Sequence, residues 1–249
     1  GLGQVTGQVS SAGQPWVFGY AAGTRSWDTD PYGRREVRDH DAEGRVVSRV
    51  RRDGAWHDYV HDARGRLVTH LDPFSRANIF EYDAHDRLVR SVQAANTPDA
   101  RATAFAYDAR HHLVAVTNAL GLATSFAYDG NDRLVLTSFP DGTAASNAWN
   151  AVGLRASETL LDASGQTLRH TVFAYDGGGR PASRATQGPG LATPIETSTD
   201  FDGAGNLVRI EDANGRETFF QYDARCLLTN SVNAAGHAVR RAHGPRGLP

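Results

Sequence analysis

The sequence predicts an all-β fold, an antiparallel meander of about 16–18 short strands. Three observations carry that prediction. An aromatic-plus-Asp pair, or a worn copy of one, recurs nine times, its second residue at 41, 62, 83, 108, 129, 150, 176, 202 and 223. A second turn signal falls about midway between neighbouring copies. No window long enough for a helix escapes interruption by Gly, Pro, Asn or Asp clusters.

The steps between copies are 21, 21, 25, 21, 21, 26, 26 and 21 residues, a period that organises the whole chain. The clearest copies read Tyr82-Asp83-Ala84-His85-Asp86-Arg87-Leu88 and Tyr128-Asp129-Gly130-Asn131-Asp132-Arg133-Leu134. The others are His61-Asp62 to Leu67, Tyr107-Asp108 to Leu113, Tyr175-Asp176 to Arg180, Phe201-Asp202 to Leu207 and Tyr222-Asp223 to Leu228, with worn copies at His40-Asp41 and Trp149-Asn150. The three long steps are absorbable by the polar segments 96–101, 157–166 and 187–194, expected at exposed loop tips.

The midway turns are Asp72 to Ser75, Asn118 to Gly121, Asp162 to Gly165, Asp212 to Gly215 and Asn233 to Gly236. Asp or Asn first and Gly fourth is the type I signature, with the fourth residue in the left-handed region. In the aromatic-Asp turns that fourth slot holds Gly44, Gly65, Gly153, Gly179 and Gly205, and otherwise Asp86, His111 and Asp132, which tolerate positive φ. Cys226 fits it least well. Runs such as Arg66–Leu71, Leu88–Val92 and Leu113–Thr117 then make the strands. Alternation puts Phe80 with Tyr82, Phe105 with Tyr107, Phe126 with Tyr128, Phe173 with Tyr175 and Phe220 with Tyr222 on one face. Leu67, Leu88, Leu113, Leu134, Leu207 and Leu228 are expected as a parallel stripe nearby, both sets holding the sheet together.

Composition points to a thin core. Leu, Ile, Val and Phe number 18, 3, 19 and 10 of 249 residues, and the formal charge is only −2. A one-layer sheet fits that inventory better than a compact ball. All 26 basic residues are Arg, and there is no Met; with Gly1 first, this is read as a piece of a longer chain. The near-neutral balance gives no bulk reason to bind nucleic acid, and no stretch reaches the apolar length of a membrane span. Cys226 alone excludes an intramolecular disulfide.

The chemistry expected from the residues is sparse. His57 and His61, four apart on a strand, lie about 13 Å apart, too far for one metal. His111 and His112 fall in a repeat turn. No nucleophile elbow or phosphate loop is present. Asp200-x-Asp202-x-Ala204-Gly205 with Glu211 resembles a calcium loop lacking its fifth ligand, and Asp39-x-Asp41-x-Glu43-Gly44 is a shorter fragment of one. Both coincide with repeat turns that need Asp and Gly for backbone reasons. The expectation is no enzyme, no catalytic or metal residues and no cofactor.

The pattern Tyr-Asp-x-x-Gly-Arg-Leu, with partner turns Asp/Asn-Ala-x-Gly ten or eleven residues later, resembles the YD repeat of Rhs-type proteins over roughly residues 28–240. The resemblance implies a long sheet that is open, curved or spiralling, a fragment of a hollow shell. It also implies a function: a non-catalytic part of the wall that encapsulates a toxin domain in a secreted or surface-displayed bacterial polymorphic toxin. Related cocoons occur in insecticidal toxin complexes, and the similar animal teneurins carry theirs on an adhesion receptor. The implied partner is the remainder of the parent chain, with self-association through exposed strand edges.

The chain departs from the family's self-cleavage pattern: Gly244-Pro245-Arg246-Gly247-Leu248-Pro249 shares Gly-Leu but lacks the Asp-Pro context. Residues 1–27 are read as a strand-containing flanking segment, 28–240 as the repeat array and 241–249 as a tail. Two alternatives stand beside this reading, an adhesion or carbohydrate-binding module and, as fold, a six-bladed β-propeller, since two units make 42 residues.

Overall fold

The structure, a computed structural model, describes residues 7–9, 15–21 and 24–244. The Gly-Leu sequence of the tail, at 247–248, and much of the flanking segment 1–27 lie outside the described residues. Among those described, all regular structure is β. The chain divides into two compact units, Gly1–Ala123 and Thr124–Pro249.

In the first unit the strands are β1 (Gly7–Val9), β2 (Pro15–Ala21), β3 (Arg25–Thr29), β4 (Arg35–His40), β5 (Val46–Val50), β6 (Trp56–His61), β7 (Leu67–Leu71), β8 (Ala77–Tyr82), β9 (Leu88–Gln93), β10 (Arg101–Tyr107) and β11 (Leu113–Thr117). Each pairs antiparallel with the next in chain order. The second unit repeats the plan with β12 (Ala123–Tyr128), β13 (Leu134–Ser138), β14 (Ala144–Trp149), β15 (Arg155–Leu161), β16 (Thr167–Tyr175), β17 (Pro181–Gln187), β18 (Ile195–Phe201), β19 (Leu207–Glu211), β20 (Glu217–Tyr222), β21 (Leu228–Val232) and β22 (Ala238–Arg240). Its pairing is likewise sequential.

The propeller alternative is thereby overturned. Four-stranded blades would interrupt the ladder after every fourth strand, whereas it runs unbroken through each unit. Among the described residues the strand count also exceeds the 16–18 expected, at 22, because the segment before residue 30 adds three strands and the C-terminal hairpin closes with the three-residue β22.

The turns follow the sequence pattern. At Asp83 the backbone N–H donates to the Arg87 carbonyl at 3.0 Å, and the Asp86 N–H donates back to the Asp83 carbonyl at 3.2 Å. The fourth slot is left-handed in all nine aromatic-Asp turns, including Asp86 (φ 63°), His111 (φ 70°), Asp132 (φ 64°) and Cys226 (φ 59°). Cys226 adopts this conformation because its turn closes the same two bonds, Asp223 N–H to Leu227 and Cys226 N–H to Asp223, both at 2.9 Å.

After each aromatic-Asp turn the returning strand skips a residue. Glu81 pairs with Arg90, but Tyr82 pairs with Leu88, so Val89 is bulged out. The same shift precedes Tyr107 opposite Leu113, Tyr128 opposite Leu134, Phe201 opposite Leu207 and Tyr222 opposite Leu228. Side chains alternate with period two, so one extra residue flips the face. The bulge thus places each leucine beside its aromatic, on the face away from Glu81 and Arg90. The leucines interleave with the aromatics, where a separate parallel stripe was expected.

The 26-residue step from 150 to 176 also resolves differently from expectation. Its extra residues extend β15 and β16 to seven and nine residues around a four-residue turn, where a longer loop tip was expected. Strand pairing satisfies those backbone groups at both edges, which a loop tip would leave to water.

The core is thin. Ala77 and Val92 are the buried hydrophobic residues among those described, and none of the side chains reaches full burial. The most deeply buried charges sit instead in β3 to β5, where Glu36 is 2 % exposed and Asp28 4 %. Arg38 and Arg52 pair with both, and Arg49 lies 2.9 Å from Glu36. Buried carboxylates persist when they are paired in this way.

Candidate functional site

The aromatic-Asp turn is the most elaborated site in the chain, and its chemistry is structural. At Asp83, carboxylate oxygen Oδ1 accepts the N–H of His85 at 2.8 Å and of Arg87 at 3.0 Å. Oδ2 receives the Arg87 guanidinium through Nε and Nη2, both at 2.7 Å. Asp62 with Arg66, Asp129 with Arg133 and Asp176 with Arg180 repeat this arrangement, as does Asp41 with Arg45. Burial pushes the Asp83 carboxyl up, but the arginine and the backbone N–H groups outweigh it and lower its pKa to about 2. The carboxyl groups of Asp62, Asp129 and Asp176 are lowered as well; at Asp62 and Asp129 the arginine hydrogen bond is the leading cause, at Asp176 the Arg180 backbone N–H.

The same arginine reaches the next repeat. Arg87 Nη1 donates to the Asp108 carbonyl at 3.3 Å, approaches His111 Nδ1 at 3.0 Å, and its guanidinium lies 4.6 Å from the Tyr107 ring centre. Arg66 contacts the Asp83 carbonyl at 3.2 Å, Asp86 Oδ1 at 2.6 Å and the Tyr82 ring at 4.8 Å. Arg180 reaches the Asp202 carbonyl at 3.5 Å and stacks on Phe201 at 4.7 Å. Each guanidinium therefore joins its own turn carboxylate, the next turn's backbone and the next aromatic, a planar fork suited to three partners.

The fourth turn slot answers the same arginine. A Cβ on Gly65 would stand 3.2 Å from Arg45 Nη1, and one on Gly205 3.2 Å from Arg180 Nη1. Where the slot is Asp86 or His111, its side chain accepts from the guanidinium instead. Gly, Asp and His are thus three solutions to one contact. The sequence motif contained the arginine, but its role needs partners 16 or more residues away, which spacing alone does not reveal.

The tyrosines add a second tie. Tyr82 Oη donates to the Leu67 carbonyl at 3.0 Å, Tyr107 to Leu88 at 2.9 Å and Tyr175 to Arg155 at 2.9 Å. Trp149 Nε1 performs the same act on Leu134 at 3.1 Å. The leucines are thus ring neighbours by side chain and, at Leu67, Leu88 and Leu134, acceptors by backbone. Tyr128 and Tyr222 occupy the same half-buried position at the ends of β12 and β20, and Leu113, Leu207 and Leu228 open β11, β19 and β21.

Departures from the motif are replaced in kind. His112 Nδ1 contacts Asp108 Oδ2 at 2.9 Å, Asn206 Nδ2 donates to Asp202 Oδ2 at 2.9 Å, and Arg225 Nη2 reaches Asp223 Oδ2 at 3.1 Å. In the calcium-like segment, Arg209 occupies the space between the carboxylates: it lies 2.7 Å from Asp200, 2.5 Å from Glu211 and 2.7 Å from Glu217. In the second such segment Arg25 pairs with Asp39, and Arg45 with Asp41 and Glu43. Among the described residues no cluster of three or more His, Cys, Asp or Glu side chains converges as metal ligands.

The RHS Repeat family model matches residues 107–144 and 201–247. No curated protein matches the chain. Solved structures similar to it include TcdB2-TccC3-TEV, at 14 % identity and a TM-score of 0.36, covering 98 % of this chain and 17 % of that one. The Photorhabdus luminescens Tc holotoxin pore aligns at 14 % identity and 0.31, covering 97 % and 19 %. A porin-like protein from Bacteroides uniformis aligns at 12 % and 0.35, covering 84 % and 90 %. The chain thus spans about a fifth of the length of the Tc chains it matches. With its period and its turns, the chain resembles RHS-repeat proteins of the YD type, and the RHS Repeat model matches it over residues 107–144 and 201–247.

Proposed function

We propose that this chain is a non-catalytic structural module, one stretch of the wall that encloses a toxin domain in a bacterial Rhs-type polymorphic toxin. The observation that carries the reading is the turn: its arginine spends every strong contact on its own repeat and the next, leaving carboxylates committed to architecture. Asp62, Asp83, Asp108, Asp129, Asp176, Asp202 and Asp223, with the tyrosines and leucines around them, form the framework of an array over 28–240. The mechanism is physical, since paired strands keep water and proteases from what lies behind them. The module's partners are further repeats and the cargo of its parent chain, in a secreted or surface-displayed protein.

Limited proteolysis of the parent protein, with and without this segment, tests the proposal. Cargo that becomes cleavable when the segment is removed supports a wall. Equal cleavage in both forms overturns it. A glycan array that gives hits abolished by substituting the exposed Tyr32 or Phe74 would favour an adhesive module instead.

A further inference from the structure

The pair His57 and His70 falls outside the turn chemistry. His57 belongs to β6 and His70 to β7, and the register sets His70 opposite Tyr59, two residues along from His57. His57 Nδ1 and His70 Nε2 stand 2.9 Å apart. The two rings are inclined by 12° with centres 5.1 Å apart, and Tyr59 lies almost parallel to His70 at 5.0 Å. The short N···N contact, rather than ring overlap, defines the pair. One nitrogen must donate and the other accept, so the contact accommodates a neutral pair or a single imidazolium. Two imidazolium rings would present donor to donor.

The surroundings offer a second proton little help. Arg49 on β5 is the register partner of His57, and its own carboxylate partner is Glu36, from β4. On β8, Asn78 faces His70 with its amide at 3.5 Å from Nδ1. Tyr59 is the titratable neighbour on β6. Asp72 follows β7 and favours a charged His70, but it is held by Arg76 at 2.7 Å. Asp53, in the turn before β6, feels the charge of His57. Desolvation and the charge of His57 together lower the pKa of His70.

We propose that the head-to-head His57–His70 contact makes the β6–β7 seam a proton-operated weak point in an otherwise acid-tolerant sheet. The sign follows from the proton count. In the unfolded chain both histidines charge as pH falls through about 6.5; in the folded pair the second proton is resisted. The open state therefore binds more protons below that pH, and the seam loosens as pH falls from about 6.5. The turn carboxylates, lowered below their usual range, stay ionised in that window, so they add nothing to the change at the histidine pair.

Amide hydrogen exchange on the 249-residue chain tests this, with protection factors of β6 and β7 compared with those of β13 and β14, which contain no histidine. Opening at β6 and β7 should rise by up to about tenfold per pH unit between pH 6.5 and 5 relative to β13 and β14. His70→Asn, which cannot take up a proton, should abolish that rise, and His57→Asn should do the same should the first variant fold poorly. Parallel protection of the two regions in the unsubstituted chain from pH 7 to 5 would overturn the proposal, as would a rise that persists in His70→Asn.

Discussion

The two sets of turns, which alternate along the meander and so lie at opposite ends of the strands within each unit, differ in kind. At the aromatic-Asp end every turn has four residues, and where it carries an arginine or a tyrosine that side chain ties it to a neighbouring repeat. At the other end Asp or Asn caps its own turn, as Asp72 does for Phe74 and Arg76. Arg76 there stacks on Phe74 of the same turn, not on another repeat. All three length departures fall on that second end, in residues 94–100, in the lengthened β15 and β16, and in 188–194. The arginine-stitched turns thus keep one length while the second set varies, although there too Asn96 of the 94–100 segment reaches the Ser75 carbonyl at 2.8 Å.

The largest expected effect breaks this comparison outright. Two residues inserted between Gly130 and Asn131 should cost several kcal/mol, ~3 or more, because Arg133 could no longer reach both Asp129 and the Asn150 carbonyl. The same insertion within 188–194 should cost about 0.6 kcal/mol or less. Urea titration of both variants measures the ratio, and equal costs would end the distinction.

Next in size is the arginine itself. Arg87→Ala removes ties to Asp83, Asp108, His111 and Tyr107 at once, while Arg76→Ala removes only contacts within its own turn, to Asp72 and Phe74. The former should lower Tm by several degrees, about 4 °C or more, and the latter by about half that or less. Calorimetry on both variants reads the difference.

Acid should act on both ends together. The Asp83 carboxyl is lowered in the folded state, so its contribution is present above the unfolded value of about 3.9 and is lost as pH falls through about 2; the carboxyl groups of Asp62, Asp129 and Asp176 are lowered in the same direction. Circular dichroism should show the sheet holding at pH 5 and melting between about pH 4 and 2. A sheet lost at pH 5 would contradict the assignment.

Smaller changes sharpen the picture. Tyr107→Phe should cost about 1 kcal/mol by deleting the bond to the Leu88 carbonyl, whereas Tyr32→Phe, at a turn tip where Tyr32 is 77 % exposed, should be neutral. Cys226→Gly should stabilise by about 1 kcal/mol, since a left-handed residue carries no penalty when it has no Cβ.

The period, the turn types and the strand alternation were all legible in the sequence because each depends on residues within one hairpin. Even the left-handed slot could be read at Asp86, His111 and Asp132. What lay hidden depends on residues in neighbouring repeats, or on pairing. The role of Arg66, Arg87 and Arg180 requires knowing which carbonyl and which ring sit beside them. The leucines' interleaving with the aromatics requires the bulge at Val89 and its equivalents. His57 was compared with His61 along its own strand, whereas its partner, His70, arrives from the next one. The buried Glu36 and its arginines occupy strand positions that later repeats give to uncharged residues such as Asn78, so the repeat pattern gave no warning of them.

The account rests on consecutive hairpins forming one face of an enclosing wall. An electron cryo-microscopy reconstruction of the parent protein tests that most directly. The account predicts that residues 35–240 form part of a continuous sheet with an enclosed volume behind it, containing density for another segment of the same chain. Repeats with solvent on both faces and no enclosed density would contradict it.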